Sequence, residues 1–394
     1  MNDNKTSKNS IVAKFAVPIS FLILFFLAAN FTDCDLVTFW KRRNHLTDLV
    51  VDMIPPDFSY IQKILLPLFY TIQMSVTGTV LGTFFALVLS PFGAANLGFP
   101  AVIRRILRIV IQILRSFPAL ILALTATFLF GLGTFAGTFA ITLYTFAIMT
   151  KLTYEDASAA DVKAYQALRA MGVSKYVAYI HGILPEIIPG FLTNALYLLE
   201  TNVRHSSILG YVGAGGIGLL LNEKISWLEY DKVGTILLML FLTVCVIEYF
   251  SRYLAALIRK EHTIKKEQAR LLLLFLAALF LICTFTLSLP DFSRTSPQTL
   301  RNMFAGFLQP DWSFFFSAEK DGLGYLLLET VCIAFIGTVI GAIVSAPLAF
   351  LNTKRFVPAP VSFLFNLVIM VIRSVPFLVY GLIFIRVSGP GAFT

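Results

Sequence analysis

Charge is scarce in this chain. Only 13% of its 394 residues are Asp, Glu, Lys or Arg, about half the share of an ordinary soluble domain. Too little polar surface exists to cover a water-soluble core, which excludes a soluble domain. The same shortage excludes intrinsic disorder and nucleic-acid binding of the soluble kind. Cysteine is sparse as well. Cys34, Cys245, Cys283 and Cys332 stand far apart, form no CxxC and mostly fall in apolar runs, so neither a disulfide framework nor a zinc site is expected. The four histidines show no HExxH spacing. No GxxxxGK[ST] occurs, so this chain is not itself a P-loop ATPase.

What the chain has is apolar length. Hydrophobic residues make up 57% of it, with 38 Phe among them, and mean hydropathy is +0.80. Runs long enough to span a bilayer lie near 15–29, 64–89, 106–130, 135–150, 186–207, 233–257, 271–289, 324–350 and 361–387. They are too long for outer-membrane strands and do not alternate, and only helices or closed barrels satisfy the backbone in lipid. The expected fold is an all-α integral membrane protein, a polytopic bundle of about nine transmembrane helices. The first run follows Lys5, Lys8 and Lys14. It lacks a small-x-small cleavage site and reads as an uncleaved span rather than a signal peptide.

The net charge of +9 fits loops biased toward Lys and Arg on one side. With the N-terminus in the cytoplasm, inner segments hold about twice the Lys and Arg of outer ones. Trp40, Trp227 and Trp312 then all fall in outer segments, as one interfacial belt would require.

The chain also repeats itself. Thr71, Gly78 and Gly82 sit in a pattern matched by Thr330, Gly337 and Gly341, 259 residues on. Arg115-Ser116-Phe117-Pro118 is matched by Arg373-Ser374-Val375-Pro376, and Pro56-Asp57-Phe58-Ser59 by Pro310-Asp311-Trp312-Ser313. Three blocks in one order at nearly one offset indicate a parallel duplication of a six-helix unit with an incomplete second copy. The expected domains are a first six-helix repeat, 1–258, a cytoplasmic linker, 259–270, and a partial second repeat with three spans, 271–394. The missing counterpart of everything after Phe135 suggests a fragment or a truncated fusion.

The inner segment Lys151–Pro189 is the least linker-like polar stretch. Ser158 and Asp161 read as a helix start, and Val162, Tyr165, Leu168 and Met171 recur at helical spacing. Gly172 suits a helix stop, and Ser174 can cap a second helix that ends near Pro185. A helical hairpin at the membrane face reads either as a docking element or as a loop packed on its own domain.

Gln166-Ala167-Leu168, then Gly172, then Leu184-Pro185 resembles the EAA loop of binding-protein-dependent ABC importer permeases. Gln166, Leu168 and Gly182 depart from that pattern. Glu200, Asn202, Arg204 and the glycines Gly213, Gly215, Gly216 and Gly218 are similar to the phosphonate-type branch, as are Met53 to Asp57 and the repeated Arg-Ser-x-Pro. The resemblance implies a permease subunit that performs no covalent chemistry and binds no cofactor of its own. It implies a cytoplasmic ABC ATPase subunit that holds ATP and Mg, and a periplasmic or lipid-anchored substrate-binding protein. A second permease chain and membrane lipid complete the expected partners, in the bacterial inner membrane. Transport would proceed by alternating access, with the Gln166–Gly172 region as the coupling helix. Phosphonate or a related oxyanion is the implied cargo; phosphate, phosphite and methionine are alternatives, as is a secondary transporter.

Gly213-x-Gly215-x-x-Gly218 also fits a dinucleotide fingerprint. That motif needs a preceding strand in a βαβ unit, which two flanking spans leave no room for. The glycines read instead as tight turns at the outer end of a pathway. Arg115, Ser116, Arg373, Ser374, Glu200, Asn202 and Arg204 are candidate pathway residues, because ionisable groups in lipid face cavities or partners. The competing readings are intrahelical pairs for Glu200–Arg204 and Glu248–Arg252, and an arginine snorkelling beside a proline kink for Arg115.

Overall fold

The computed structural model describes residues 20–32, 36–259, 266–290, 297–309, 311–317, 319–320, 322–389 and 391. Among these there are helices and turns and no strand. Lys5, Lys8 and Lys14, and residues 260–265 of the linker, lie outside them. Each apolar run meets a helix or a bent helix pair. Among the described residues five helices are long and apolar enough to cross a membrane, up to eight if each bent pair is one span, and the first run survives as a shorter helix, α1 (Ser20–Phe31).

The chain divides into two compact units. The larger, 52–302 with 374–376, is built on α3 (Ile61–Gly93), α6 (Thr134–Ala159) and α9 (Leu184–Leu209). Polar residues can lie inside this bundle because α3 satisfies them itself. The hydroxyls of Thr71, Ser75, Thr79 and Thr83 each donate to the carbonyl four residues back, at 2.6–3.0 Å. Gly78 and Gly82 let α6 come close. A Cβ at Gly78 would stand 2.6 Å from Ile141 Cγ2, and one at Gly82 would stand 2.7 Å from the Thr142 carbonyl. Small residues at this spacing are how helices pack without a hydrophobic drive between them. α12 (Lys266–Phe285) joins the same unit, where Gln73 Nε2 donates to the Cys283 carbonyl at 3.1 Å and to Thr286 Oγ1 at 2.8 Å.

Two expected spans are broken. Residues 106–130 fall on α4 (Ala101–Ser116) and α5 (Ala119–Phe130), which meet at 95°. Proline is the cause: it lacks an N–H and pushes the preceding residue out of the helical region. Phe117, just before Pro118, is accordingly extended at φ −84°, ψ 125°. Residues 361–387 break in the same way before Pro376, into α16 (Ala359–Ser374) and α17 (Phe377–Ser388), with a 79° bend.

The smaller unit holds α1, α15 (Leu323–Asn352), α17 and all of α16 but its last residue. α1 packs along α15 through Phe21 on Phe335, with ring centroids 5.2 Å apart, and Phe31 on Tyr325 at 5.0 Å. One local motif recurs in the two halves of the sequence. Asp57 Oδ1 accepts from the Ser59 N–H and hydroxyl at 2.9 and 2.6 Å, and Asp311 Oδ1 accepts from those of Ser313 at 2.9 and 2.5 Å. The serine hydroxyl is the main reason both carboxyls lie below their usual range.

Candidate functional site: a coupling hairpin and a glycine wedge

The inner segment folds as a hairpin of α7 (Lys163–Ala170) and α8 (Lys175–Gly182). Gly172 turns the chain at φ +85°, a conformation other residues adopt at a cost. The Val173 N–H closes the turn on the Leu168 carbonyl at 3.2 Å. Ser174 caps α8 by accepting from the Val177 N–H at 3.4 Å. The expected cap at Ser158 is not there. α6 runs on through Lys151 to Ala159, and the Ser158 hydroxyl donates back to Tyr154 within that helix. The Asp161 carboxylate instead takes the Lys163 N–H at 3.0 Å, which holds its pKa below the usual range. α8 stops at Gly182, and Leu184-Pro185 opens α9, with proline in the first turn where its missing N–H costs nothing.

Gly182, which departs from the resemblance, has a local reason. A Cβ there would lie 2.8 Å from the Tyr165 nitrogen, where α8 crosses α7. The hairpin rests on the segment 94–99. Buried Tyr165 donates to the Leu97 carbonyl at 2.6 Å, Lys175 donates to the Gly98 carbonyl, and Asn96 caps the end of α6 at Ala157, 2.9 Å away. Leu97, Tyr165, Tyr179, Ile183 and Ile187 form the apolar floor. The opposite side is open. Gln166, Ala167, Ala170 and Gly172 are exposed, and Met171 is 77% exposed. Leu168 is only half-buried. A small apolar face on a short helix is thus left uncovered and braced from beneath.

At the other end of α6, a length of about 39 Å, lies the glycine-rich turn. Gly213, Gly215 and Gly216 all have positive φ. The turn is a buried wedge rather than an open loop. The Ile217 N–H donates to Thr71 Oγ1 at 2.8 Å, and the Gly133 N–H donates to the Gly213 carbonyl at 3.0 Å. Gly218 opens α10 (Ile217–Ser226), and a Cβ there would stand 1.8 Å from the Ser207 carbonyl.

Of the candidate pathway residues, Glu200, Asn202 and Arg204 share α9. Arg204 Nη1 pairs with Glu200 Oε1 at 2.9 Å, and both side chains are largely covered. Glu248 and Arg252 pair within α11 (Tyr230–Ile258) as expected. Asn202 is fully buried and donates at 2.8 Å to both Thr79 Oγ1 and Thr145 Oγ1, tying α9 to α3 and α6. Asn202→Val should therefore lower stability by about 1–2 kcal/mol, read as a fall in detergent melting temperature. Arg115 and Ser116 are the exposed last residues of α4; Arg373 and Ser374 end α16, with Arg373 exposed and Ser374 buried.

The family description "Binding-protein-dependent transport system inner membrane component" matches residues 78–260. A phosphite transport system permease protein of Stutzerimonas stutzeri is 31% identical over 217 residues, 55% of this chain and 79% of that one. This chain belongs to that family of inner membrane components. It is a permease subunit of an ABC importer, of the phosphonate type, and a multi-pass inner membrane protein. The permease is also 24% identical over 356 residues to a phosphate-import permease protein of Mycolicibacterium smegmatis, across 88% of this chain and 66% of that one. Among solved structures it is similar to an inward-facing methionine ABC transporter, at 20% identity and TM-score 0.46, over 51% of this chain and 99% of that one. The family implies an ATPase subunit and a substrate-binding protein.

Sequence reasoning missed one polar cluster of the permease. Lys224 is buried, 2.9 Å from Glu223 and 2.8 Å from Glu229, with its ammonium 4.3 Å from the Trp227 ring centre. Burial alone would lower the Lys224 pKa, but hydrogen bonds to Glu229 and Glu223 outweigh it and raise the value. The same bonds, from Lys224 and then Lys232, hold the Glu229 carboxyl low. The cluster is thus lost on acidification only as pH falls through the depressed Glu229 value, and on alkalinisation only above the ordinary lysine range. Lys and Glu on a short polar stretch gave no sign of this, because the aromatic partner Tyr60 is far away in sequence.

Proposed function

We propose that this permease carries a small phosphorus oxyanion, phosphite or a related phosphonate, into the cell, driven by an ATPase subunit that seats the α7–α8 hairpin. The observation behind the cargo is the phosphite permease relative, of which this chain covers 79%. The observation behind the drive is the exposed Ala167–Met171 face on a rigid floor. ATP and Mg belong to the partner, and a binding protein delivers cargo to the side opposite the hairpin. The N-terminus lies in the cytoplasm, on the side of the hairpin. The two Arg-Ser-x-Pro bends and the two Asp-capped turns support a parallel duplication, 1–258 and 271–394, with 259–270 as its linker.

The deciding experiment is uptake into proteoliposomes holding the permease, its ATPase subunit and its binding protein. Labelled phosphite or methylphosphonate should accumulate, and methionine should not. Accumulation of methionine alone would overturn the cargo. In this reading Arg115 lines the pathway, where a guanidinium group attracts an oxyanion. Arg115→Gln should cut uptake about tenfold, the worth of a charge-assisted hydrogen bond, while the ATPase subunit still co-purifies. Unchanged uptake would leave Arg115 as a snorkelling side chain.

A further inference from the structure

α4 is amphipathic in a way that the transport reading leaves unused. Val102, Ile106, Ile109 and Ile113 form an outward row, each 54–67% exposed, while Ile111 faces the bundle. Arg104, Arg105, Arg108 and Gln112 occupy the remaining flank at helical spacing. The 95° angle to α5 means that the two helices cannot both cross the bilayer along its normal. An apolar row beside a basic flank suits a helix lying at the membrane interface.

Arg108 is committed: its guanidinium donates twice to the Gly93 carbonyl, at 2.9 and 3.0 Å, and lies 5.0 Å from the Tyr154 ring centre. Arg104 and Arg105 have no ion-pair partner among the described residues. We propose that Arg104 and Arg105 bind the phosphate of an anionic phospholipid headgroup, with its acyl chains along the Val102–Ile113 row. A soluble anion would leave that row uncovered, and lipid covers both. The bend recurs in α16, but there the counterparts of Arg104, Arg105 and Arg108 are Ser362, Phe363 and Asn366, so the site belongs to α4 alone. Its position carries a consequence. Pro100 caps α4 directly after the segment 94–99, on which Tyr165 and Lys175 of the hairpin rest. A bound headgroup braces the floor of the hairpin.

The test is native mass spectrometry of the full chain with phosphatidylglycerol against phosphatidylcholine, comparing wild type, R104Q/R105Q and a control, K354Q/R355Q, that removes two exposed charges elsewhere. Wild type and control should prefer phosphatidylglycerol. R104Q/R105Q should lose about 30-fold of that preference, from two basic residues near an anionic surface. Equal loss in the control would overturn the site as general charge attraction. An unchanged preference in R104Q/R105Q would overturn it outright, and loss of ATPase co-purification with lipid preference intact would reassign the arginines to that subunit.

Discussion

Ala167→Asp combined with Met171→Asp is expected to abolish ATP-driven uptake while leaving the permease in the membrane in normal amounts. Both side chains point away from the protein, and Met171 is among its more exposed large residues. The substitutions therefore touch neither the floor of Leu97, Tyr165 and Ile183 nor the turn at Gly172. Inside a partner's groove each new carboxylate would be desolvated without a counter-charge, which costs several kcal/mol. Affinity for the ATPase subunit should fall by about 100-fold or more, read directly by co-purification. Retained co-purification and uptake would show that the exposed face of the hairpin docks nothing.

The second large effect is expected at the other end of α6. Gly218→Val should yield no folded permease. Its Cβ would begin 1.8 Å from the Ser207 carbonyl, a backbone atom held in α9, and no rotamer relieves that contact. Overpacking in a core costs about 1–3 kcal/mol where side chains can shift, and here the obstacle is main chain. Gly172→Ala is the matched contrast. It also departs from glycine, at φ +85°, but nothing lies within 4 Å of the added carbon, so its cost is about 1–2 kcal/mol of backbone strain. Monodisperse protein from Gly172→Ala and none from Gly218→Val is the expected pair of results by size-exclusion chromatography. Equal yields would mean that the wedge is looser than its geometry implies.

The long apolar runs were legible because hydrophobic length is a local property, and α3, α6, α11 and α15 cover their expected stretches closely. The bends at Pro118 and Pro376 were written in the sequence too, as Arg-Ser-x-Pro, yet an apolar run continuing through each concealed a break of 79–95°. The hairpin was found through Gly172 and the Ser174 cap, both of which act within a few residues. Ser158 misled because serine before an acidic residue suits a cap, whereas α6 had not yet ended. Gly182 could not be read at all: its meaning is a contact with Tyr165, seventeen positions earlier and on another helix. The Asn202 bridge to Thr79 and Thr145, and the approach of Lys224 to Tyr60, are hidden for the same reason. A candidate pathway pair, Glu200 and Arg204, proved easier, since four-residue spacing on a helix fixes the contact.

In the proposed mechanism, nucleotide turnover on a separate subunit moves this permease through α7 and α8. Proteoliposomes with the binding protein outside, and with or without the ATPase subunit and ATP inside, test it most directly. Labelled phosphite should enter only when both the subunit and hydrolysable ATP are present. Entry at the same rate without them, driven by an ion gradient alone, would contradict the account.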